Sequence, residues 1–228
     1  MKFPFPVIPE EAPGGKLISF VSCVPGAGAS TLACLTAMSL GSALIDFTGH
    51  ARSYLGLTPD VCPSSLVDAL GVSKPEDISR IGIEHPSGIT VFPGVTRTVD
   101  ASQIDTRLAQ KIAVYVKRMF PKTVAVLTSL ESTGWAISLI SDTVCLVVKP
   151  DRVDMDVFQD KVEFLSRLGC RDRLKIILNQ AGAPGTIKTS EVKTFFKPDI
   201  VINFDPEIRM ACNRRKLTSG RFKMLEAI

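Results

Sequence analysis

The chain has 228 residues, of which 45% are hydrophobic and 22% are charged, and its formal net charge is +4. This length suits one domain with a large core, and the mild positive charge alone gives no case for nucleic-acid binding. No run of about 20 apolar residues predicts a membrane span. The six cysteines are scattered without a C-x-x-C pair, so we interpret them as reduced core residues and not as a metal or disulfide set.

Residues 1–15 have the composition of an extended arm. They carry four prolines and end in Gly14-Gly15. One lysine, several prolines and no apolar h-region argue against a signal peptide, so we expect a cytoplasmic protein. Residues 16–228 are predicted to form one domain.

The domain begins with a strand, a turn of small residues and a helix. The apolar run Leu17–Val21 has the length and composition of a strand. The turn at 25–29 contains only proline, glycine and alanine, and Ser30-Thr31 open an Ala-rich helical run. This order is the plan of a phosphate-binding loop, in which backbone N–H groups and the positive helix end converge on an anion. The alternative is an ordinary small-residue turn between a strand and a helix.

The rest of the chain alternates strand-like and helical segments. Further strands are predicted at 43–47, within 87–94, and at 123–129, 143–148, 174–180 and 200–202. Helices are predicted at 66–70, from 74, and at 103–120, 135–140, 153–168, 190–196 and 207–216. This alternation indicates βαβ units, and hence an α/β domain with a mostly parallel sheet of about seven strands and helices on both faces. The turn at 25–29 is then expected at the carboxyl edge of the sheet.

The turn resembles the loop of the MinD/ParA family of P-loop ATPases, whose pattern is K-G-G-x-G-K-[ST]-T. The chain has Val24-Pro25-Gly26-Ala27-Gly28-Ala29-Ser30-Thr31 there, so two glycines and both hydroxyls are kept and both lysines are absent. It is therefore similar to a degenerate member of that family. It most resembles the pilus-associated CpaE/TadZ branch, whose loops often lack a lysine.

Other stretches resemble the family in order and spacing over about residues 16–216. Ala43–Phe47 resembles LIDxD, which implies that Asp46 lies close to the phosphates; the alternative is an aspartate that caps a strand end. A later strand resembles YVVVDTPP, but Leu127 replaces the aspartate that orders metal and water at the γ-phosphate. The segment ending at Asn179 resembles VLN, whose asparagine contacts adenine in relatives.

The resemblance implies a site for ATP or ADP with Mg²⁺ and no covalent cofactor. Its residues are Gly26, Ala27, Gly28, Ala29, Ser30, Thr31, Asp46 and Asn179, with the Ser30 hydroxyl as the Mg²⁺ ligand. One lost charge-assisted hydrogen bond is worth about 1.5–3 kcal/mol, so binding is expected to survive but weaken roughly ten- to a hundred-fold. Hydrolysis depends on charge and a placed water at the γ-phosphoryl. Without lysines at 24 and 29 or an acid at 127, we expect little or none, and no residue is assigned as catalytic.

Two functions stay open. The first is a pseudo-ATPase that localises or assembles pilus or secretion machinery. The second is a slow ATPase in cell-division, flagellar or plasmid and chromosome positioning, with Arg52, Lys149 or a partner's arginine replacing the lysines; for Arg52 and His50, a solvated loop is the other interpretation. No lysine or arginine occurs from 22 to 45, which favours the first function. A metallochaperone would need a C-x-x-C pair, and DNA partition a longer basic stripe than 214–216.

Two features bear on assembly and location. The resemblance implies a homodimer that meets across its nucleotide loops. Val24-Pro25 offers an apolar contact there in place of the lysine, which predicts a dimer that depends little on ATP; the alternative is a monomer in which Val24 packs beneath its own loop. MinD relatives also bind membranes through a terminal amphipathic helix, so 221–228 suggests peripheral membrane contact or a polar location. Eight residues bury little area, and a last turn packed on the core is favoured.

Overall fold

The computed structural model describes residues 14–58, 60–95, 97–131 and 133–218, and its central feature is a single sheet. The prolines of the arm and the segment 221–228 lie outside the described residues. The strands are β1 (Lys16–Ser22), β2 (Ala43–Asp46), β3 (Ile83–His85), β4 (Ile89–Phe92), β5 (Lys122–Leu127), β6 (Thr143–Val148), β7 (Leu174–Ala181) and β8 (Ile200–Asn203). They are ordered β3-β4-β2-β5-β1-β6-β7-β8, and only β3–β4 is antiparallel. The predicted mostly parallel α/β fold is confirmed.

Helices cover both faces of the sheet. They are α1 (Ala29–Leu40), α2 (His50–Tyr54), α3 (Thr98–Ala101), α4 (Thr106–Met119), α5 (Thr133–Ile140), α6 (Arg152–Arg167), α7 (Thr189–Phe196) and α8 (Pro206–Asn213). Within the described ranges, no helix is long and apolar enough to cross a membrane.

Alternate residues of the central strand β1 belong to two separate cores, as expected for a strand buried on both faces. Leu17 and Val21 pack in the core that contains the apolar faces of α4, α5, α6 and α7. Ile18 and Phe20 pack in the opposite core, with the buried side of α1. Five of the six cysteines are buried and Cys212 is half-buried, which agrees with their interpretation as apolar core residues.

The edge strand β3 is the part of the sheet that the sequence pattern missed. It has only three residues, and the antiparallel register pairs Ile83 with Val91 and His85 with Ile89. The turn between β3 and β4 contains Gly88 at φ +82°, a left-handed conformation that glycine adopts without strain. A hairpin partner therefore fixes β3, whereas three residues show too little alternation to predict a strand.

Several helix boundaries also differ from prediction. The segments expected at 66–70 and from 74 are 3-10 helices, at Leu66–Gly71 and Pro75–Ile81. The helix expected from 103 begins at Thr106, because the side chain of Asp105 accepts a hydrogen bond from Leu108 N at 2.8 Å and caps it. The last helix ends at Asn213 and not at 216.

Arg52 holds the segment after β2 in place. The sequence analysis predicted that it lies in a solvated loop or faces an anion. Arg52 is only 2% exposed. Its guanidinium donates three hydrogen bonds to backbone carbonyls, from Nε to Leu57 at 2.8 Å, from Nη1 to Gly94 at 2.8 Å and from Nη2 to Cys62 at 2.6 Å. Both sequence interpretations of Arg52 are therefore wrong, because its donors are used inside the protein to join the α2 region to the end of β4.

We predict that Arg52→Met strongly destabilises the protein. Methionine fills much of the same space but leaves three buried carbonyls without their donor, and each such loss costs about 1–3 kcal/mol. The free energy of unfolding in urea is expected to fall by about 3 kcal/mol or more.

Arg80→Met is the matched control, because the Arg80 side chain is 81% exposed and pairs with Asp77, three residues away. A surface pair of this kind contributes about 0–1 kcal/mol. Equal effects of the two substitutions would contradict the role given to Arg52.

Candidate functional site

A cavity of about 610 Å³ opens at the carboxyl edge of the parallel strands. This volume lies within the range of small-molecule sites in proteins. One side is formed by the loop between β1 and α1, another by the ends of β5, β6 and β7, and a third by β8 and α8. The lining includes Gly26, Gly28, Ala29, Ser30, Thr31, Thr48, His50, Leu127, Lys149, Asn179, Phe204 and Arg209.

The amino end of α1 is built to face an anion. Gly28 caps the helix in a left-handed conformation, at φ +104°, and gives it no side-chain cap. The first turn, Ala29-Ser30-Thr31, contains no acid. Its first N–H groups have no partners within the helix, and the helix dipole makes this end positive. A phosphate satisfies both the free donors and the positive potential.

The end of β7 supports this loop from below. The Asn179 side chain is 8% exposed and lines the cavity, and its Nδ2 donates to Ala27 O at 2.8 Å. The Gln180 side chain donates from Nε2 to Gly26 O at 3.3 Å. Ala27 is fully buried, so it contributes to the loop and not to the cavity lining. A Cβ on Gly28 would lie 2.2 Å from Asn179 Nδ2, which explains the glycine at this position.

Asp46 acts on the cavity through Thr48. Its carboxylate is completely buried and is not part of the cavity lining. Oδ1 accepts from Thr48 N at 3.0 Å, Thr48 Oγ1 at 2.7 Å and Gly49 N at 3.0 Å, and Oδ2 accepts from Arg52 N at 3.0 Å. The fixed Thr48 hydroxyl lies 3.4 Å from Ser30 Oγ. Thr48, to which the sequence analysis assigned no role, is therefore a lining residue that the prediction missed.

The oxygen atoms of Ser30 and Thr48 fit Mg²⁺ only as part of a shared site. Mg²⁺ prefers oxygen ligands and usually combines one or two protein groups with water and substrate phosphates. Among the described residues, no group of three or more His, Cys, Asp or Glu side chains forms a metal cage. The residues present thus fit a Mg²⁺ ion that arrives with a nucleotide.

The loop between β1 and α1 contributes no charged side chain to the cavity. Ala29 and Leu127 contribute apolar side chains to its lining, whereas positive charge comes from Lys149, after β6, and Arg209, on α8. The Lys149 ammonium pairs with Asp151 at 3.1 Å, and this hydrogen bond lowers the pKa of the Asp151 carboxyl.

Val24 does not provide the exposed apolar contact expected from the sequence. Its side chain is 9% exposed, and the backbone carbonyl accepts from Ala27 N at 3.2 Å within the loop. Pro25 is exposed beside it. The structure thus agrees with the alternative in which Val24 packs beneath its own loop.

A parallel sheet with a glycine loop, a helix amino end and an asparagine at one edge defines a P-loop type of α/β fold. No protein-family model matches the sequence, and no curated protein matches it. Comparison of the fold with solved structures does find matches. The cell-division ATPase MinD of Pyrococcus furiosus is 21% identical, with 92% of each chain covered and a TM-score of 0.73.

Two further structures agree. MinD of Pyrococcus horikoshii OT3, complexed with Mg-ADP, is 18% identical over 90% of this chain and 87% of that chain, with a TM-score of 0.72. A ParA family ATPase from Chlorobium tepidum TLS is 16% identical over 89% of this chain and 90% of that chain, also with a TM-score of 0.72. This chain therefore has the fold of MinD and ParA ATPases.

We predict that Gly28→Ala destabilises the protein more than Gly41→Ala. Gly28 and Gly41 cap the two ends of α1 with positive φ, so an alanine is strained at both, by about 1–2 kcal/mol. Open space surrounds Gly41, whereas at Gly28 the new Cβ must displace Asn179.

The free energy of unfolding in urea should therefore fall by at least about 1 kcal/mol more for Gly28→Ala, which also breaks the Asn179–Ala27 hydrogen bond. If the two variants lose equal stability, Asn179 does not support the loop in the way described.

Proposed function

We propose that this protein is a nucleotide-binding positioning factor that binds ATP or ADP with Mg²⁺ weakly and hydrolyses ATP little or not at all. The observation that carries this proposal is the amino end of α1, which has no side-chain cap and no acid, together with the apolar side chains of Ala29 and Leu127 in the cavity lining. Gly26 to Thr31 keep the backbone that holds phosphate, while Ala29 and Leu127 occupy the positions of a lysine and an acid in the resembling family. The absence of these two side chains is therefore expected to affect ATP hydrolysis more than nucleotide binding.

Binding uses groups that are still present. Backbone N–H groups of the loop and α1 hold a diphosphate, and Ser30 with Thr48 offers oxygen ligands to the accompanying Mg²⁺. Asn179, to which the resemblance assigns the contact with adenine, lines the cavity together with Phe204 and Ile208. The related MinD of Pyrococcus horikoshii holds Mg-ADP, and the matching fold supports the same class of ligand here.

Hydrolysis requires charged and water-orienting groups that the residues at 29 and 127 do not supply. Phosphoryl transfer is catalysed by charge placed around the γ-phosphoryl and by a residue that orients the attacking water. The alanine at 29 gives no charge, and the leucine at 127 cannot orient water or metal. The second candidate, a slow but genuine ATPase, is favoured by one observation, because Lys149 brings a cation to the cavity.

Phosphate release separates these two candidates, and a charge restored to the loop tests the site itself. We expect the wild type to bind Mg-ADP and to release phosphate from ATP no faster than a blank without protein. Ala29→Lys should tighten Mg-ADP binding roughly ten- to a hundred-fold, because it restores one charge-assisted hydrogen bond, as measured by isothermal titration.

Ala29→Met is the control, since it adds a chain of similar length without charge. Equal affinities of the lysine and methionine variants would show that phosphate does not lie at position 29. Mg²⁺-dependent phosphate release that Ser30→Ala abolishes would favour the slow ATPase.

The proposed role also includes a homodimer and a partner in pilus or secretion assembly, as the resemblance to the CpaE/TadZ branch implies. Peripheral contact with a membrane through 221–228 stays the less favoured expectation for that segment, after a last turn packed on the core. Because no lysine repels its copy across the loops, dimerisation should need no nucleotide to neutralise charge. The burial of Val24 leaves Pro25, exposed at the loop, as the apolar residue available for this contact.

Sedimentation velocity with and without Mg-ATP tests this assembly. We predict the same dimer fraction under both conditions, with a fall in that fraction for Pro25→Asp, which places like charges on the two facing loops. Pro184→Asp, at another exposed proline, serves as the control. A monomer under both conditions at high protein concentration, or a dimer formed only with ATP, would contradict the prediction.

A further inference from the structure

Lys149 brings a positive charge to the flank of a loop that has none of its own. Parallel pairing of β1 with β6 aligns Ser22 with Val147, and Cys23 N donates to Val147 O at 2.8 Å. The segments that follow β1 and β6 leave the sheet in the same direction from this point. Lys149 therefore follows the last pair of the ladder by two residues, beside the start of the loop, and its side chain lines the cavity.

The first turn of α6 holds this lysine at both ends. Its backbone N–H donates to Asp154 Oδ1 at 3.2 Å, and its Nζ lies 3.1 Å from Asp151 Oδ2. Asp151 is itself fixed, because its Oδ1 caps α6 by accepting from Val153 N at 3.2 Å. Lys149 thus has a defined direction before any ligand arrives, and an ordered side chain loses less conformational entropy on binding.

A surface ion pair is the ordinary alternative, and the chain contains one for comparison. Lys175 pairs with Asp199 at 3.4 Å, and both side chains are well exposed, by 46% and 38%. That pair is at the amino end of β7, at the edge of the sheet opposite the cavity. The Lys149 side chain is only 26% exposed and lines the cavity. The position of Lys149 therefore indicates more than a solvent-exposed salt bridge.

Arg52 and Arg209 do not supply positive charge at the position of Lys149. The Arg52 guanidinium donates to three carbonyls in the interior, so its hydrogen-bonding groups are occupied. Arg209 lines the cavity from α8, which follows β8, a strand three places from β1 in the sheet, whereas β6 is next to β1. Lys149 is thus the cation nearest in the sheet order to the β1 loop among the described residues that line this cavity.

We propose that Lys149 binds the phosphate chain of the nucleotide and supplies, from the end of β6, charge that the loop lacks. An ammonium group has three donors, so one hydrogen bond to Asp151 leaves two for phosphate oxygens. This role rests on the proposed nucleotide site and adds a residue that the phosphate-loop pattern does not contain. It concerns affinity for the bound phosphates and requires no turnover.

The test measures the dissociation constants of Mg-ADP and of adenosine by isothermal titration for the wild type, Lys149→Met, Lys149→Arg and Lys175→Met. Lys149→Met should weaken Mg-ADP about ten-fold or more and leave adenosine unchanged, because adenosine has no phosphates. Lys149→Arg should keep most of the affinity, and Lys175→Met should match the wild type. Salt should weaken Mg-ADP binding more steeply in the wild type than in Lys149→Met.

Lys149→Gln repeats the comparison with a side chain that keeps a neutral donor toward Asp151, so the result does not depend on the fold of one variant. Mg-ADP affinity that is unchanged in both variants would overturn the role of Lys149 while leaving the nucleotide site in place. Equal weakening of Mg-ADP and adenosine would also overturn it, because that result indicates a distorted cavity. Failure of the wild type to bind Mg-ADP would overturn the proposed function itself.

Discussion

The cavity depends on the parallel pairing of β1 with β5 on one side and β6 on the other. Parallel strands direct all their carboxyl ends to the same edge, so the segments that follow them must meet there. The loop after β1, Thr48 after β2, Leu127 at the end of β5, Lys149 after β6 and Asn179 in β7 are far apart in sequence and share one cavity. The sheet therefore determines which side chains can act together, and the loop sequence determines what they can bind.

Within this frame, backbone groups and charged side chains have separate tasks. The glycines and the amino end of α1 provide donors whose positions depend on backbone geometry, and Asn179 holds that geometry through Ala27 O. Charged groups would supply the additional stabilisation that a phosphoryl-transfer transition state needs. In the proposed function, Val24, Ala29 and Leu127 leave the first kind of group in place and do not supply the second.

The sequence predicted the architecture well because the relevant signals are local. Apolar strands alternating with amphipathic helices, and small residues after the first strand, were enough to predict a mostly parallel sheet with the loop at its carboxyl edge. The edge strand β3 was missed because its hairpin partner, and not its own three residues, fixes it. The 3-10 helices were predicted as ordinary helices because apolar spacing over a few residues does not distinguish the two.

Details of the cavity were harder to predict, since they depend on hydrogen bonds between distant residues. Asn179 and Ala27 are 152 positions apart, and no local pattern pairs them. Arg52 carries a charge that could bind an anion, yet its guanidinium donates to three carbonyls in the interior. Val24 is buried at the start of its loop. Residue type showed which chemistry was available, whereas burial decided whether a ligand could reach it.

Asp46 and Arg52 show how opposite charges can be placed in one turn without forming an ion pair. The Asp46 carboxylate accepts four hydrogen bonds from the segment 48–52, and one of its donors is the backbone N–H of Arg52. The Arg52 guanidinium is directed away, to carbonyls from three other positions. Each charge thus satisfies backbone groups that would otherwise be buried without partners. The result is a rigid segment that presents the Thr48 hydroxyl to Ser30, so two charges that never reach the cavity still determine its shape.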